Sequence, residues 1–451
     1  MEFGIGMAHN AVEAIPKADH PQLRLCTVGK QIPFTPQKEE KGNWVTCTPD
    51  SVKSHGWSGF SAVAYFFGQE IQASRNIPVG LVQDCWSGTP AEAWTSLEAL
   101  QSNPKLSHYA QQFVKDRDAL PQLKQTYDTQ LLPAWKQAYA AWDTQFGQAY
   151  AQALKDWEVK KEAALKAGQP EPPHPQMGGV RPKKPIFAGD NSGEPTVLFN
   201  GMINPIVPLA IKGVIWDQGE GNADSLARCM EYATLFPAMI NDWRQRWGAI
   251  NPPLARFPFI FVQLSGWSGA WNYPILRDAQ FSALSLPNTG MAVTLDVGEE
   301  NAIHSLDKAD VGHRLALAAR HVAYGENIVY SGPVFQSMQA EGNKFRIHFT
   351  QIGGGLVIGS APPIRLGMQA APPATALQGF AIGASSDKHL APAQARIDGD
   401  TVLVWNDKIT NPTVVRYAWV PWPKPAANLY NKEGLPAVPF ASDSPVIRTD
   451  K

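Results

Sequence analysis

Apolar and polar positions along the chain alternate in a way that predicts buried strands separated by amphipathic helices. Short apolar runs rich in β-branched residues are typical of strands that are covered on both faces of a parallel sheet. Apolar residues three and four positions apart are typical of helices. The predicted strands are 23–28, 44–47, 78–83, 214–215, 257–264 and 291–298. The predicted helices are 60–71, 224–247 with an interruption near Pro237, 275–286, and a helix capped by Ser305 or Asp307 that runs through Arg320.

Strand, turn and helix alternate through residues 1–95 and 191–324, which predicts an α/β domain with a mainly parallel sheet flanked by helices. Residues 96–190 differ, because they are rich in Ala, Gln, Lys and Leu and end in a run of prolines. We expect a helical insertion there, built as a hairpin of long helices that covers the site, followed by an extended proline-rich loop. Short apolar runs between Gly, Pro, Asn and Asp clusters predict a C-terminal β-rich domain over 325–451.

Charge and composition exclude several classes of partner. The formal net charge of −1 gives no electrostatic reason to expect nucleic acid or an anionic membrane. No window approaches the ~18 uninterrupted apolar residues of a membrane span, and the start of the chain lacks the basic flank and apolar core of a secretory signal. The four cysteines show no metal spacing, and Cys26 and Cys47 either bridge or are free buried thiols. We therefore expect no metal and no cofactor.

Two of the predicted strands run directly into glycine-containing turns. The strand 78–83 is followed by a turn that contains Gly88, and the strand at Val214 and Ile215 is followed by Gln218-Gly219-Glu220-Gly221-Asn222. Ligands bind at the carboxyl ends of strands in open α/β sheets. The backbone N–H of Gly88 and the side-chain amide of Asn222 are candidate oxyanion donors, and Gln218 and Glu220 are expected to line the site. The alternative is that Asn222 only caps the following helix.

A histidine occupies a comparable position after a later strand. His304 lies in the loop between the strand 291–298 and the next helix, where an imidazole can act as a general base near neutral pH. The alternative is a surface or capping histidine. One base and two donors at the ends of separate strands favour a catalytic site.

Several sequence blocks resemble the sialate O-acetylesterase family, a branch of the SGNH hydrolases that also includes acetylxylan-type esterases. The resemblance extends over nearly the whole chain, including its C-terminal β segment. The blocks that carry it are Ile77–Gln83, Gly88–Trp94, Asn200–Ile203, Ile211–Asn222, Ile303-His304 with Lys308, Val311-Gly312 and Arg314–Leu317, Tyr330–Pro333, Arg416–Trp419 and Asn428–Asn431.

The resemblance implies an SGNH-hydrolase-like fold, a serine nucleophile, a histidine base and an oxyanion hole of serine N–H, glycine N–H and asparagine side chain. By position, Gly88, Asn222 and His304 correspond to the last three roles. In the family the serine belongs to a Gly-Gln-Ser-Asn-Met-Glu block, and Met1-Glu2-Phe3-Gly4 resembles the residues just after that serine. The resemblance therefore implies an N-terminally truncated chain without the nucleophile and its strand. It also implies a periplasmic or secreted full-length protein.

Two departures from the family concern the catalytic groups. Family members often carry an acidic residue two or three positions before the histidine, where this chain has Asn301 and Ala302. Asp296, Glu299, a backbone carbonyl or nothing would then orient His304. Ser87 is an alternative nucleophile beside Gly88, although it lacks the Gly-x-Ser-x-Gly elbow that exposes a serine at a strand end.

Two functions follow from these observations. The first is a carbohydrate O-acetylesterase that hydrolyses acetyl esters on sialic acid or a plant polysaccharide by a serine/histidine mechanism. The second is a non-catalytic carbohydrate-binding protein that keeps the pocket without the nucleophile. In both, the expected partner is an acetylated sugar or polysaccharide, and no motif indicates an oligomeric state.

Overall fold

A computed structural model describes residues 1–40, 42–54, 56–167, 169–362, 374–384 and 390–446. The chain divides into two compact units. The larger comprises Met1–Ala110 and Ser192–Lys451, and the smaller comprises Gln111–Asn191.

Within the described ranges, the α-helices are α1 (Ala11–Ala14), α2 (Ala62–Arg75), α3 (Leu97–Ser102), α4 (Ser107–Thr126), α5 (Leu132–Trp142), α6 (Gln148–Lys166), α7 (Leu226–Ile250), α8 (Tyr273–Ser282) and α9 (Lys308–Tyr324). The strands are β1 (His20–Thr27), β2 (Trp44–Cys47), β3 (Val79–Gln83), β4 (Val214–Trp216), β5 (Phe259–Gln263), β6 (Thr289–Val293), β7 (Val334–Glu341), β8 (Lys344–Thr350), β9 (Leu356–Ile358), β10 (Phe380–Gly383), β11 (Ala391–Pro392), β12 (Gln394–Asp398), β13 (Thr401–Trp405), β14 (Val414–Tyr417), β15 (Leu429–Asn431) and β16 (Phe440–Ala441).

Two three-stranded sheets form the α/β part of the larger unit. The first has the order β2-β1-β3, with β1 parallel to β3 and antiparallel to β2. The second has the order β4-β5-β6 and is parallel throughout. Every residue of β5 is buried, as its uninterrupted apolar run predicts. The predicted α/β fold with a C-terminal β-rich region is confirmed.

Helices α2 and α9 pack on these sheets through side chains of their apolar faces. Val63 and Ile71 of α2 join Leu315 of α9 in one core cluster with Ile260 and Val262 of β5. Ser61 caps α2 by accepting a hydrogen bond from Ala64 N. Asp307 caps α9 by accepting one from Asp310 N, so the second of the two predicted caps is the one used.

Two predicted boundaries were wrong. Helix α7 continues through Pro237 without interruption, since buried side chains on both sides of the proline, including Phe236 and Ile240, hold the helix against the core. Strand β6 ends at Val293, and the residues Leu295–Val297 form a 3₁₀ turn where the sequence predicted more strand.

The predicted helical hairpin was also wrong, because the helix that begins with α4 does not reverse. Two π-helical segments, Tyr127–Leu131 and Asp143–Gly147, join α4, α5 and α6, and the residues at their ends keep right-handed helical dihedrals. The proline-rich segment runs back along this helix instead. Its carbonyl oxygens accept hydrogen bonds from three indole N–H groups of the helix, in reverse sequence order. Trp135 donates to Pro182 O, Trp142 to Gly178 O and Trp157 to Pro172 O. That the insertion covers the site stays a prediction.

The C-terminal part of the larger unit is built from antiparallel strands, in the orders β11-β10-β14-β16, β12-β13-β8-β7 and β15-β9. The apolar run Ile328–Tyr330 is irregular. Strand β7 carries no clear apolar run, because five of its eight residues are exposed. Arg277 of α8 joins this part to the sheets by donating to the carbonyls of Val420 and Pro421. The four cysteines are free thiols. No helix in the described ranges has the length and apolarity that a bilayer crossing requires.

Candidate active site

The loops that follow β3 and β4 contact each other at the carboxyl ends of their strands. Gln218 Nε2 donates to Thr89 O at 3.2 Å, and Ala91 N donates to Asn222 Oδ1 at 2.9 Å. Gly221 allows this approach, because a Cβ at that position would lie 3.1 Å from Thr89 O. The two glycine turns singled out in the sequence therefore meet at one edge of the fold.

A cavity of about 800 Å³ opens beside these loops. Gly88 contributes to its wall with a left-handed backbone (φ 75°), a conformation that favours glycine. Gln218, Glu220 and His304 also line the cavity. Four of the predicted site residues are thus brought together from segments of which the outermost, Gly88 and His304, are more than 200 positions apart in the sequence.

Asn222 is buried behind this wall. Its Nδ2 donates to Glu92 Oε2 at 2.7 Å, and its Oδ1 accepts from Gln218 Nε2 at 2.8 Å. Glu92 also accepts from Arg228, and burial raises the pKa of the Glu92 carboxyl. A side-chain amide carries two N–H donors, and in the described part of the chain the bond to Glu92 uses one of them. Its oxyanion role stays a prediction.

His304 is exposed at the cavity and packs against two aromatic rings. Its ring centroid lies 6.3 Å from that of Phe3 and 6.1 Å from that of Trp57, with the Trp57 contact edge-on. Partial burial lowers the pKa of His304, and the positive charges of Lys308 and the Met1 amino group lower it further, while the charge of Asp217 raises it. A lowered pKa keeps the imidazole neutral near pH 7, which is the form a general base requires.

Asp217 is a site residue that sequence reasoning missed. Its Oδ2 lies 4.0 Å from Lys308 Nζ and 3.8 Å from the Met1 amino nitrogen, which also donates to the Asp217 carbonyl at 3.2 Å. Burial raises the pKa of this carboxyl, but the charges of Met1, Lys308 and His304 outweigh burial and lower it. The sequence feature that could have identified Asp217 is its position directly after β4, within Trp216-Asp217-Gln218.

The carboxylates expected to orient His304 are engaged elsewhere. Asp296 accepts two hydrogen bonds from Arg314, at 2.6 and 2.8 Å, and a third from Tyr430 Oη at 3.1 Å. Glu299 Oε1 accepts from Leu306 N at 3.2 Å. Asp217 is the carboxylate whose charge raises the pKa of the His304 ring.

Glu2 and Ser87 meet at the same end of the cavity. Ser87 N donates to Glu2 Oε2 at 2.7 Å, and Lys30 forms an ion pair with the same carboxylate. The Ser87 side chain is exposed. Glu2 lines the cavity and was also missed, because an acidic residue at the second position has no distinguishing pattern. No group of three or more His, Cys, Asp or Glu in the described ranges is arranged to hold a metal ion.

Comparison with known proteins identifies relatives of this chain. The family described as carbohydrate esterase, sialic acid-specific acetylesterase, matches residues 194–321. Sialate O-acetylesterase from Mus musculus is 28% identical over 426 residues, which cover 88% of this chain and 66% of the relative. The protein of the same name from Homo sapiens is 26% identical and covers 88% of this chain and 63% of the relative. The chain thus spans slightly less than two thirds of the length of these relatives.

A solved structure matches the whole fold. The crystal structure of a carbohydrate acetylesterase from Xanthomonas citri superposes with a TM-score of 0.70 at 32% identity, covering 98% of this chain and 78% of that chain.

Proposed function

The chain belongs to the carbohydrate esterase family that includes the sialate O-acetylesterases, and from that membership we propose that the protein hydrolyses acetyl esters on sugars by a serine/histidine mechanism. The observation that carries the proposal is the meeting of His304, Gly88 and Asp217 at one cavity. The substrate class is an acetylated sugar or polysaccharide, and the site of action is periplasmic or extracellular.

The reaction assigns one task to each group. A serine hydroxyl attacks the acetyl carbonyl carbon and gives its proton to the His304 imidazole. The N–H of Gly88, with an amide N–H of Asn222, stabilises the oxyanion of the tetrahedral intermediate. When the intermediate collapses, the sugar oxygen leaves with the proton from His304. Water then attacks the acetyl-serine in the same way and releases acetate, restoring the serine.

The attacking serine is proposed to lie upstream of Met1 in the full-length protein. The resemblance of Met1-Glu2-Phe3-Gly4 to the residues that follow the family's serine supports this assignment, and Met1, Glu2 and Phe3 line the cavity that contains His304. Ser87 is less suited, because its position follows no strand-to-helix elbow and its backbone N–H is held by Glu2.

The charge of Asp217 supports the role of His304. When His304 accepts the serine proton it becomes a cation, and a nearby carboxylate stabilises that cation. Lys308 limits this effect at rest, because its ammonium lies 4.0 Å from Asp217 and disfavours a charged imidazole. The balance leaves a neutral base that is able to accept a proton.

The test is a hydrolysis assay on the full-length protein, with an aryl acetate and a panel of acetylated sugars. We expect activity that is lost when the upstream serine is changed to alanine and when His304 is changed to Gln. His313→Gln is the matched control, since His313 lies on α9 and pairs with Glu70. Sugar binding without hydrolysis by the full-length protein would instead favour the carbohydrate-binding function.

A further inference from the structure

A tryptophan with about half of its surface exposed lies beside the proposed base. Trp57 lines the cavity, and the centroid of its ring lies 6.1 Å from that of the His304 imidazole, in an edge-on contact. Trp57 is 49% exposed, whereas Phe3, the other ring that packs against His304, is buried. Tryptophan is highly buried on average because its ring carries a large apolar surface. The exposure of Trp57 leaves indole surface open to a ligand that approaches His304.

The backbone on both sides of Trp57 has an uncommon conformation. Gly56, Ser58 and Gly59 are all left-handed, with φ of 63°, 66° and 105°. A positive φ is unfavourable for a residue with a side chain, such as Ser58, and residues held in this conformation cluster at functional sites. The strained loop therefore points to a role for the side chain that it presents, which is Trp57.

A short N-terminal segment holds this loop through its backbone. Phe3 forms a parallel bridge with Trp57, and Gly6 N donates to Ser58 O at 3.0 Å. Gly4 allows the close approach, because a Cβ at that position would collide with the Trp57 carbonyl. Backbone contacts thus fix the position of Trp57 before a ligand arrives. A ring that is positioned in advance lowers the entropic cost of binding.

The proposed reaction brings the sugar close to this ring. His304 returns its proton to the sugar oxygen that leaves, so this oxygen must come within about 2.6–3.2 Å of an imidazole nitrogen. The sugar ring is bonded to that oxygen directly or through a short chain. Rings in contact have centroids about 4.5–7 Å apart, and the indole of Trp57 lies 6.1 Å from the imidazole. A sugar ring bound with its ester oxygen at His304 is therefore within stacking distance of Trp57.

We propose that Trp57 is a specificity-determining residue, and that the ring of the acetylated sugar stacks on its exposed indole surface while the ester oxygen lies at His304. The C–H groups on one side of a pyranose ring form an apolar surface with partial positive charge, which matches the negative π face of an indole. Stacking of this kind favours a cyclic sugar over an open-chain acetate. The inference rests on the proposed function for the position of the ester.

Two acetylated polyols that differ in ring closure test the proposal. Glucose pentaacetate contains a pyranose ring, and sorbitol hexaacetate is its open-chain counterpart. In the full-length protein, Trp57→Ala should lower the ratio of kcat/KM for the cyclic substrate to that for the open-chain substrate by about 3- to 10-fold, the usual range for one aromatic contact. A change in the proton affinity of His304 acts on both substrates alike and cancels in this ratio.

Two further variants test the chemistry and the location. Trp57→Phe keeps an aromatic ring and should retain at least about half of the wild-type ratio. Trp44→Ala is the matched control, because Trp44 also lines the cavity and is 47% exposed, but its ring packs over Gly80 of β3. The ratio should not change in this control. A ratio as low in Trp57→Phe or in Trp44→Ala as in Trp57→Ala would overturn the proposal, and thermal unfolding checks that each variant is folded.

Other results would also overturn it. An unchanged ratio in Trp57→Ala would do so, as would an equal fall of kcat/KM for both substrates, since Trp57 would then act on His304 alone. If the full-length protein hydrolyses neither substrate, the proposed reaction fails, and calorimetric titration with the two acetates tests the stacking by itself. Weaker binding of glucose pentaacetate alone in Trp57→Ala, by the same factor, would support the stacking. Equal effects on the two acetates, or no binding of either, would overturn it.

Discussion

Lys308 Nζ lies 4.0 Å from Asp217 Oδ2, so the first turn of α9 is joined to the end of β4 beside the imidazole of His304. Asp217 and Lys308 act on His304 with opposite signs, the carboxylate raising its pKa and the ammonium lowering it. Burial of the ring lowers the pKa of His304 most, and this pair adjusts it further in opposite directions.

Changing Asp217 to Asn should lower the pKa of His304 further, because the one nearby charge that favours the imidazolium is removed. In the full-length protein the acidic limb of the kcat/KM profile should move to lower pH, with a reduced maximum. Asp224→Asn removes an exposed carboxylate that pairs with Arg228 and is the control. An unchanged pH profile would show that Asp217 does not act on the base.

Changing His304 to Ala should lower kcat by roughly 10²–10⁴-fold in the full-length protein, the usual contribution of a general base. The ring is exposed, so thermal unfolding should change little. His313→Ala should leave kcat near the wild-type value. If the His304 variant retained its activity, His304 would be a capping or surface residue and not the general base.

Changing Asn222 to Ala should affect both stability and rate. Glu92 loses a 2.7 Å hydrogen bond in a buried setting, which costs roughly 1–3 kcal/mol. If the second N–H acts on the oxyanion, kcat should also fall by about 10²–10³-fold with little change in KM. Urea unfolding measures the first effect and steady-state kinetics the second. A variant that is less stable but has normal kcat would assign Asn222 to structure alone.

Changing Asp296 to Asn should destabilise the fold without altering the pH profile. The side chains of Asp296 and Arg314 are 4% and 6% exposed and form a bidentate pair, and breaking a buried pair costs roughly 3–5 kcal/mol. Chemical unfolding should show this loss. A shift of the acidic limb of kcat/KM without loss of stability would restore Asp296 as the residue that orients His304.

The contribution of Asp84 to the stability of the 451-residue chain should fall as pH rises between about 4 and 8. The raised pKa of Asp84, about 8, means that the folded state holds a proton which the unfolded state has already released, so its contribution is present at low pH and is lost towards pH 8. The slope from one such group is at most about 1.4 kcal/mol per pH unit. Unfolding measured across this range should show a smaller slope in Asp84→Asn. An equal slope in both chains would mean that Asp84 ionises normally.

The local pattern of apolar and polar residues was sufficient to predict most of the helices and strands that carry the site residues. The apolar runs before Gly88 and Gln218 predict β3 and β4, and the α/β order predicts that their ends share an edge. Two predictions that rested on residue composition, the interruption at Pro237 and the helical hairpin, were wrong. Pro237 lies within a continuous helix, and the segment with Trp135, Trp142 and Trp157 is one long helix with a proline-rich segment bound along it.

By itself, the sequence determined the strand and helix order, the two glycine turns and the histidine, because these depend on periodicity and on contacts between neighbouring residues. The tertiary structure alone decided which charges meet, since Met1 and Asp217 are 216 positions apart. It also decided that Asp296 pairs with Arg314 and that β3 and β4 line one cavity. Ion pairs and sheet edges depend on distances in space, and the separation of two residues along the sequence does not determine those distances.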